Sequence, residues 1–224
     1  MAAIRWPGKM PADAAVADST AKQKRRGAVR AFKREAILSA ARGVFARDGL
    51  DGATLRAIAA EAGIAVGTIY LHFPTKEAIY AELLAASLAE LLKTLRETVA
   101  KAAADDRLLA GALGFYGFYR SRPDDLYLGL YLAQGLKPVG LTPELDRLLN
   151  GRLIQCYGVL GDAIRQVAPL DAENLRAETV SLAACITGAL VLDVTGRLKV
   201  MGDSGEAVVR RQVQMLLGRL RGAA

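Results

Sequence analysis

The sequence predicts an all-α protein of about nine helices, organised as a small N-terminal domain and a larger C-terminal bundle. Three observations predict it. Apolar residues recur at three- and four-residue spacing almost throughout. Ala and Leu dominate, β-branched runs are short, and aromatics are only 6% of the chain. Proline and glycine stretches fall at helix-length intervals. The 224 residues suffice for one or two domains with a real core. A composition of 52% hydrophobic and 24% charged residues excludes wholesale disorder.

Residues 1–21 are Ala-rich with Pro7, Gly8 and Pro11 and show no sustained period. With the run that follows, residues 1–30 are expected as a disordered basic arm. Ile37, Ala41, Val44 and Phe45 then mark a first helix, which Gly49 stops. Thr54 is a plausible N-cap for a second, with Leu55, Ile58, Ala59 and Ala62 on its inner face. Gly63 punctuates, and a short third helix runs to Phe73, where Pro74 disfavours helical geometry. Thr75 caps a long fourth helix to about Ala104. Five more are expected over 105–120, 124–135, 142–168, 171–198 and 204–222. Pro123, the stretch 137–140, Pro143, Pro169 and the stretch 200–205 separate them, and Asp171 and Ser204 are candidate caps.

Charge is unevenly placed. The net charge is +7, and residues 1–104 carry a surplus of six cations. Residues 22–34 hold seven cations and no acid. Such a run either tracks nucleic acid phosphates or serves as a solvated tail.

Several function classes drop out. His72 is the only histidine, so a multi-histidine metal site within one chain is excluded. Cys156 and Cys185 cannot build a disulfide scaffold or a zinc finger; they are either buried structural thiols or a redox pair. There is no Ser/His/Asp set and no glycine-rich phosphate loop after a strand, so an enzyme is not expected. The acid pairs Asp105-Asp106 and Asp124-Asp125 sit at helix starts, where capping and dipole effects explain them. No cofactor or metal is expected. Residues 1–10 lack the apolar core of a leader. The uncharged stretch 179–192 is too short to span a bilayer. A cytoplasmic protein without membrane association is therefore expected.

Residues 54–73 have the helix-turn-helix layout, in which a recognition helix enters the major groove. Gly63 can take a positive φ in the tight turn. Ala59 and Ala62 are small where the helices touch. Ile69 and Phe73 bury the inner face of the third helix, which leaves Val66, Gly67, Thr68 and Tyr70 facing a partner.

Residues 36–80 resemble the N-terminal domain of the tetracycline-repressor (TetR) family. The resemblance rests on Ala40-Ala41, Phe45, Gly49, Thr54, Ile58-Ala59, Ala62-Gly63, Gly67-Thr68, Tyr70, Phe73, Pro74, Lys76 and Glu77. It implies a DNA-binding domain over 31–80 and a ligand-binding and dimerisation domain over 81–224. It also implies that Thr54 and Arg56 reach phosphate or base, that Val66, Gly67 and Thr68 lie against base edges, and that Tyr70, His72 and Lys76 bind the backbone. His72 could instead be a packing residue. Ala65 and Val66 depart from the family's polar preference. Arg56 and the arm, with Arg25, Arg26 or Arg30 in the minor groove, are then expected to carry more of the affinity.

The second half resembles the family only in size and helicity. Its aromatic cluster is either core or the lining of an apolar pocket; Phe115, Tyr119, Tyr127, Tyr131 and Cys156 are the candidate lining. Ala184 and Gly188, with Val209, Val213, Leu216 and Leu220 of the last helix, are the candidate dimer face. The resemblance thus implies a homodimeric repressor, released from a palindromic operator by an apolar or aromatic small molecule. A constitutive DNA-binding protein without a ligand is the alternative.

Overall fold

The computed structural model describes residues 12–130 and 141–222, with side chains from Lys22 onward. Within them lie ten α-helices and no strand. They are α1 (Ala12–Gly52), α2 (Leu55–Glu61), α3 (Val66–Tyr70), α4 (Lys76–Lys101), α5 (Arg107–Arg120), α6 (Pro123–Leu130), α7 (Pro143–Val167), α8 (Ala172–Val194), α9 (Arg197–Val200) and α10 (Gly205–Gly222). A single 3-10 turn, Ala104–Asp106, precedes α5. The all-α expectation holds, and the helix count exceeds the expected nine. The expected 171–198 helix breaks at Gly196, whose φ of 73° is left-handed, and this frees the short α9.

The largest difference lies at the start. Residues 12–30, expected as a disordered arm, are helical and continuous with α1. Residues 12–26 contain no Pro or Gly and are rich in Ala, Lys, Arg and Gln, all strong helix formers. The missing apolar period removes a packing signal, not helix propensity. Residues 22–33 are all exposed. The helix truly ends at Gly49, where φ 69° and ψ 179° lie in a region open only to glycine.

Polar caps fix five of the later starts, those of α2, α4, α7, α8 and α10. Thr54, Thr75, Thr142 and Asp171 accept hydrogen bonds from the N–H groups of Ala57, Ala78, Leu145 and Asn174 at 2.8–3.3 Å. Ser204 accepts likewise from Ala207 at 3.2 Å.

The buried side chains form one continuous cluster. Its N-terminal end packs Ile37, Val44 and Phe45 of α1 against Ile58, Ile69, Phe73 and Ile79. Its other end stacks Leu91 and Leu95 of α4 on α5 and α7, which in turn pack on α8 and α10. Val209, Val213, Leu216 and Leu220 are at most 6% exposed and belong to this core. They are therefore not a dimer face. The stripe they form is covered by α5 and α8 of the same chain, whereas Met215 of α10 stays exposed.

Stretch 179–192 lies inside the longer α8. By length and composition alone, α8 reaches the range of a membrane span, with a mean hydropathy of 1.6 over its best window. One side of it packs on α5, α7 and α10, and 28% of that window is buried. Val180, Ala184 and Gly188 remain exposed on its outer side.

α5, α8 and α10 are stapled at one point. Asp193 accepts from the Tyr116 hydroxyl at 2.5 Å and from Arg120 Nε at 2.6 Å. These bonds hold the Asp193 carboxyl below the usual carboxylate range, the Tyr116 bond most of all. Gly205 begins α10 directly against this phenol, and a Cβ there would stand 2.6 Å from the ring. Gly205→Ala is expected to cost about 1–3 kcal/mol by overpacking. Urea denaturation measures it; an unchanged midpoint would mean that the Tyr116 ring gives way freely.

Candidate nucleic-acid interface and apolar cavity

The helix-turn-helix is built by backbone chemistry. Gly63 (φ 65°) donates to Ala60 O, and Ile64 donates to Ala59 O. That pair of bonds is the Schellman stop, and it turns the chain sharply into α3. Ala65 precedes α3 with no side-chain cap. Ile69 is fully buried and anchors the helix.

Outward on α3 and its last turn stand Gly67, Tyr70 at 59% exposure and Leu71 at 73%. Val66 and Thr68 are half-buried, and Val66 packs on the core, so it faces a partner less freely than its register suggests. Thr54 and Arg56 are exposed at the start of α2. Sequence reasoning does not single out the exposed Leu71. Its signal is an apolar residue directly after the outward Tyr70.

Two cations hold this domain together. Lys76 Nζ donates to Asp51 O at 3.0 Å and to Ala53 O at 3.1 Å, tying the α1–α2 link to the first turn of α4. Arg34 pairs with both carboxylate oxygens of Glu82, donates to His72 O at 3.3 Å, and lies 4.3 Å over the Phe73 ring. It joins α1, the end of α3 and α4. Burial and the nearby charges of Arg30, Arg34 and Lys33 hold the His72 imidazole below its usual value of 6.5. Its Nδ1 is buried with no protein partner.

Arg25, Arg26 and Arg30 are exposed on the helical extension of α1. With Lys22, Val29 and Lys33 they border a cleft whose other wall is Leu71 and His72.

The bundle contains a separate apolar cavity of about 80 Å³. α4 contributes Leu84 and Leu88, and α6 contributes Leu126, Gly129 and Leu130. Phe115 and Tyr119 line it as expected. Tyr157, Asn150 and Thr187 line it too, and no spacing in the sequence singles them out. Tyr127 does not line it. It lies beside Leu126 on α6 but points about 100° away around the helix, toward Arg42 and Phe45. Cys156 sits outside the lining, donating to Leu88 O at 3.5 Å. Burial lifts its thiol to about 11, so it stays protonated and unreactive at neutral pH. Tyr131 lies outside the described residues.

α6 also touches the N-terminal domain. Its Asp125, only 5% exposed, pairs with Arg42 of α1, and Leu128 O accepts from the Tyr80 hydroxyl at 2.6 Å. Among the described residues, no group of three or more His, Cys, Asp or Glu side chains could hold a metal ion.

These features define a helix-turn-helix protein with a helical bundle around an apolar cavity. The sequence profile of bacterial regulatory proteins of the tetR family matches residues 37–83, the segment that folds as the helix-turn-helix. It is 27% identical over 129 residues to the fatty acid metabolism regulator protein of Bacillus subtilis, covering 58% of this chain and 66% of the relative. It is 41% identical over 68 residues to the HTH-type transcriptional repressor KstR2 of Rhodococcus jostii, covering 30% of this chain and 33% of the relative. The matches thus span slightly under two thirds of the first relative and one third of the second. The solved structure of FadR from Bacillus subtilis in complex with stearoyl-CoA has the same fold. Its TM-score is 0.64 at 21% identity, over 82% of this chain and 97% of that one. The family is one of regulators rather than enzymes.

Two measurements test the roles of Lys76 and His72. Lys76→Ala is expected to lower folding stability by about 1–3 kcal/mol, because two carbonyls lose a charged donor. A residue that only bound phosphate would leave the denaturation midpoint unmoved. His72 is held below its ordinary value in the folded state, so the folded chain binds fewer protons than the unfolded one. Its stabilising share is complete above 6.5 and is lost as pH falls through the lowered native value. His72→Gln is therefore expected to lose less stability than wild type between pH 7.5 and pH 5, measured by thermal melts.

Proposed function

We propose that this protein is a cytoplasmic, homodimeric transcriptional repressor. It binds a palindromic operator and leaves it when an effector with a long apolar chain enters the bundle. The observation that carries the reading is the shared α6. One face of it lines the cavity with Leu126, Gly129 and Leu130, and another grips the helix-turn-helix domain through Asp125 and Leu128. DNA binding falls to Thr54, Arg56, Gly67, Thr68 and Tyr70, with Val66 at the edge of the groove. Lys76 retains one donor N–H for phosphate beyond its two carbonyls.

The lining is apolar apart from Asn150, Thr187 and the two phenols, which suits an acyl chain with a polar head. Burial keeps Tyr119 and Tyr157 protonated, so both can donate to a carbonyl. The relatives named for fatty acid metabolism and crystallised with stearoyl-CoA support that class. A cavity of about 80 Å³ holds only a small part of such a chain. In this reading its entry displaces α6, which lines the cavity, and so works against the Arg42–Asp125 pair. An effector shifts the equilibrium only by its preference for that displaced state.

A second copy is assigned to the outer side of α8, where Val180, Ala184 and Gly188 are exposed and small residues allow close helix approach. A palindrome read by two recognition helices requires them about 34 Å apart, which two-fold pairing can supply.

Selection from a random duplex pool at physiological salt is expected to recover a palindrome, from which stearoyl-CoA releases the protein. Leu153→Trp, which fills the cavity, is expected to keep operator binding and lose release. Recovery of no motif would overturn the repressor reading. Release that persists in Leu153→Trp would move the effector site elsewhere.

A further inference from the structure

Lys22, Arg25, Arg26, Val29, Arg30 and Lys33 recur at i, i+3, i+4, i+7, i+8 and i+11. In a helix that spacing places five cations and one valine on a single face. The face does not pack on the core, for residues 22–33 are all exposed. It forms one wall of a cleft of about 540 Å³, and Leu71 and His72, just past the recognition helix, form the other. Both walls are held in register below the cleft by Arg34, which reaches from α1 to His72 O, Phe73 and Glu82. No acid borders the cleft.

We infer that this cleft is a preformed clamp for one sugar-phosphate strand of duplex DNA, flanking the base pairs that α3 reads. The inference rests on the DNA-binding reading above and deepens it. A rigid basic helix replaces the flexible minor-groove arm that the sequence suggests. From Lys22 to Lys33 the helix is about 17 Å long, at about 1.5 Å per residue, so it lies beside several successive phosphates. Charge complementarity selects the occupant: five cations on one wall match a polyanion. Val29 and Leu71 are exposed on the two facing walls and suit the apolar edge of a deoxyribose. Because the extension is already helical, ordering it on DNA costs little entropy.

Two full-length variants test this on a labelled 40-base-pair random-sequence duplex, titrated from 50 to 200 mM KCl. Ala28→Pro keeps every charge and breaks the helix at an exposed position, where no core residue is touched. The triple variant Arg25→Gln, Arg26→Gln, Arg30→Gln keeps the helix and removes charge. The triple variant is expected to shallow the salt slope by two to three, at about 0.9 for each phosphate no longer neutralised. Ala28→Pro is expected to shallow it by at least one, and to weaken binding about tenfold at low salt, since the cations beyond the break no longer align with the strand. Thermal midpoints should match wild type in both. Wild-type binding by Ala28→Pro would overturn the rigid clamp in favour of a flexible tether. A wild-type slope in the triple variant would remove the cleft from the DNA surface, with the recognition helix still free to select its palindrome. Failure of the wild-type chain to bind any duplex would instead overturn the DNA-binding reading itself.

Discussion

The structure depends on α4 being one unbroken helix shared by two packing problems. Its first turns bury Ile79 and Tyr80 against α1, with the Tyr80 ring edge-on to Phe45 at 5.1 Å. Its later turns bury Leu84, Leu88, Leu91 and Leu95 in the bundle. Thr75 fixes where it starts, and Lys76 and Arg34 fasten that start to the helix-turn-helix. Because the stripe is continuous, the two domains share one core and cannot shift independently without opening it. α4 thus gives the bundle a direct mechanical connection to the helix-turn-helix end.

α6 is the second route between the domains, and it differs in kind. α4 couples by close packing, whereas α6 couples through an ion pair and one hydrogen bond. Asp125 is nearly buried, so breaking its pair with Arg42 leaves a costly uncompensated charge. The Tyr80 bond to Leu128 O is likewise buried. Polar links of this sort have two discrete states, made or broken, and so suit a switch better than a sliding apolar contact does. Both links are made in this structure.

Much of the helix-turn-helix is legible in the sequence, because its signals are local. Thr54 and Thr75 cap, Gly63 takes positive φ, Gly49 stops α1, and Ile69 and Phe73 turn inward. Each depends on a residue and its neighbours within one or two turns. The bundle is less legible. The stripe Val209–Leu220 reads equally well as core or as interface, since periodicity marks an apolar face without naming what covers it. Residue type suggests Tyr127 and Cys156 for the pocket, but type does not set the angle around a helix. The extension of α1 is hidden from a reading that takes apolar periodicity as a test of helicity. It tests packing.

By itself the sequence determined the fold class, the helix-turn-helix within the segment 37–83 that the family profile matches, and the lopsided basic charge. Those follow from propensity, capping and composition, which act over short range. Only the tertiary structure decided which aromatics line the cavity, and that α10 serves its own bundle. It alone also shows that Lys76 and Arg34 are fasteners, and that the basic run faces the end of the recognition helix across a cleft. These are relations between residues tens of positions apart. They arise because one close-packed core must satisfy every helix at once, a condition that no local pattern records.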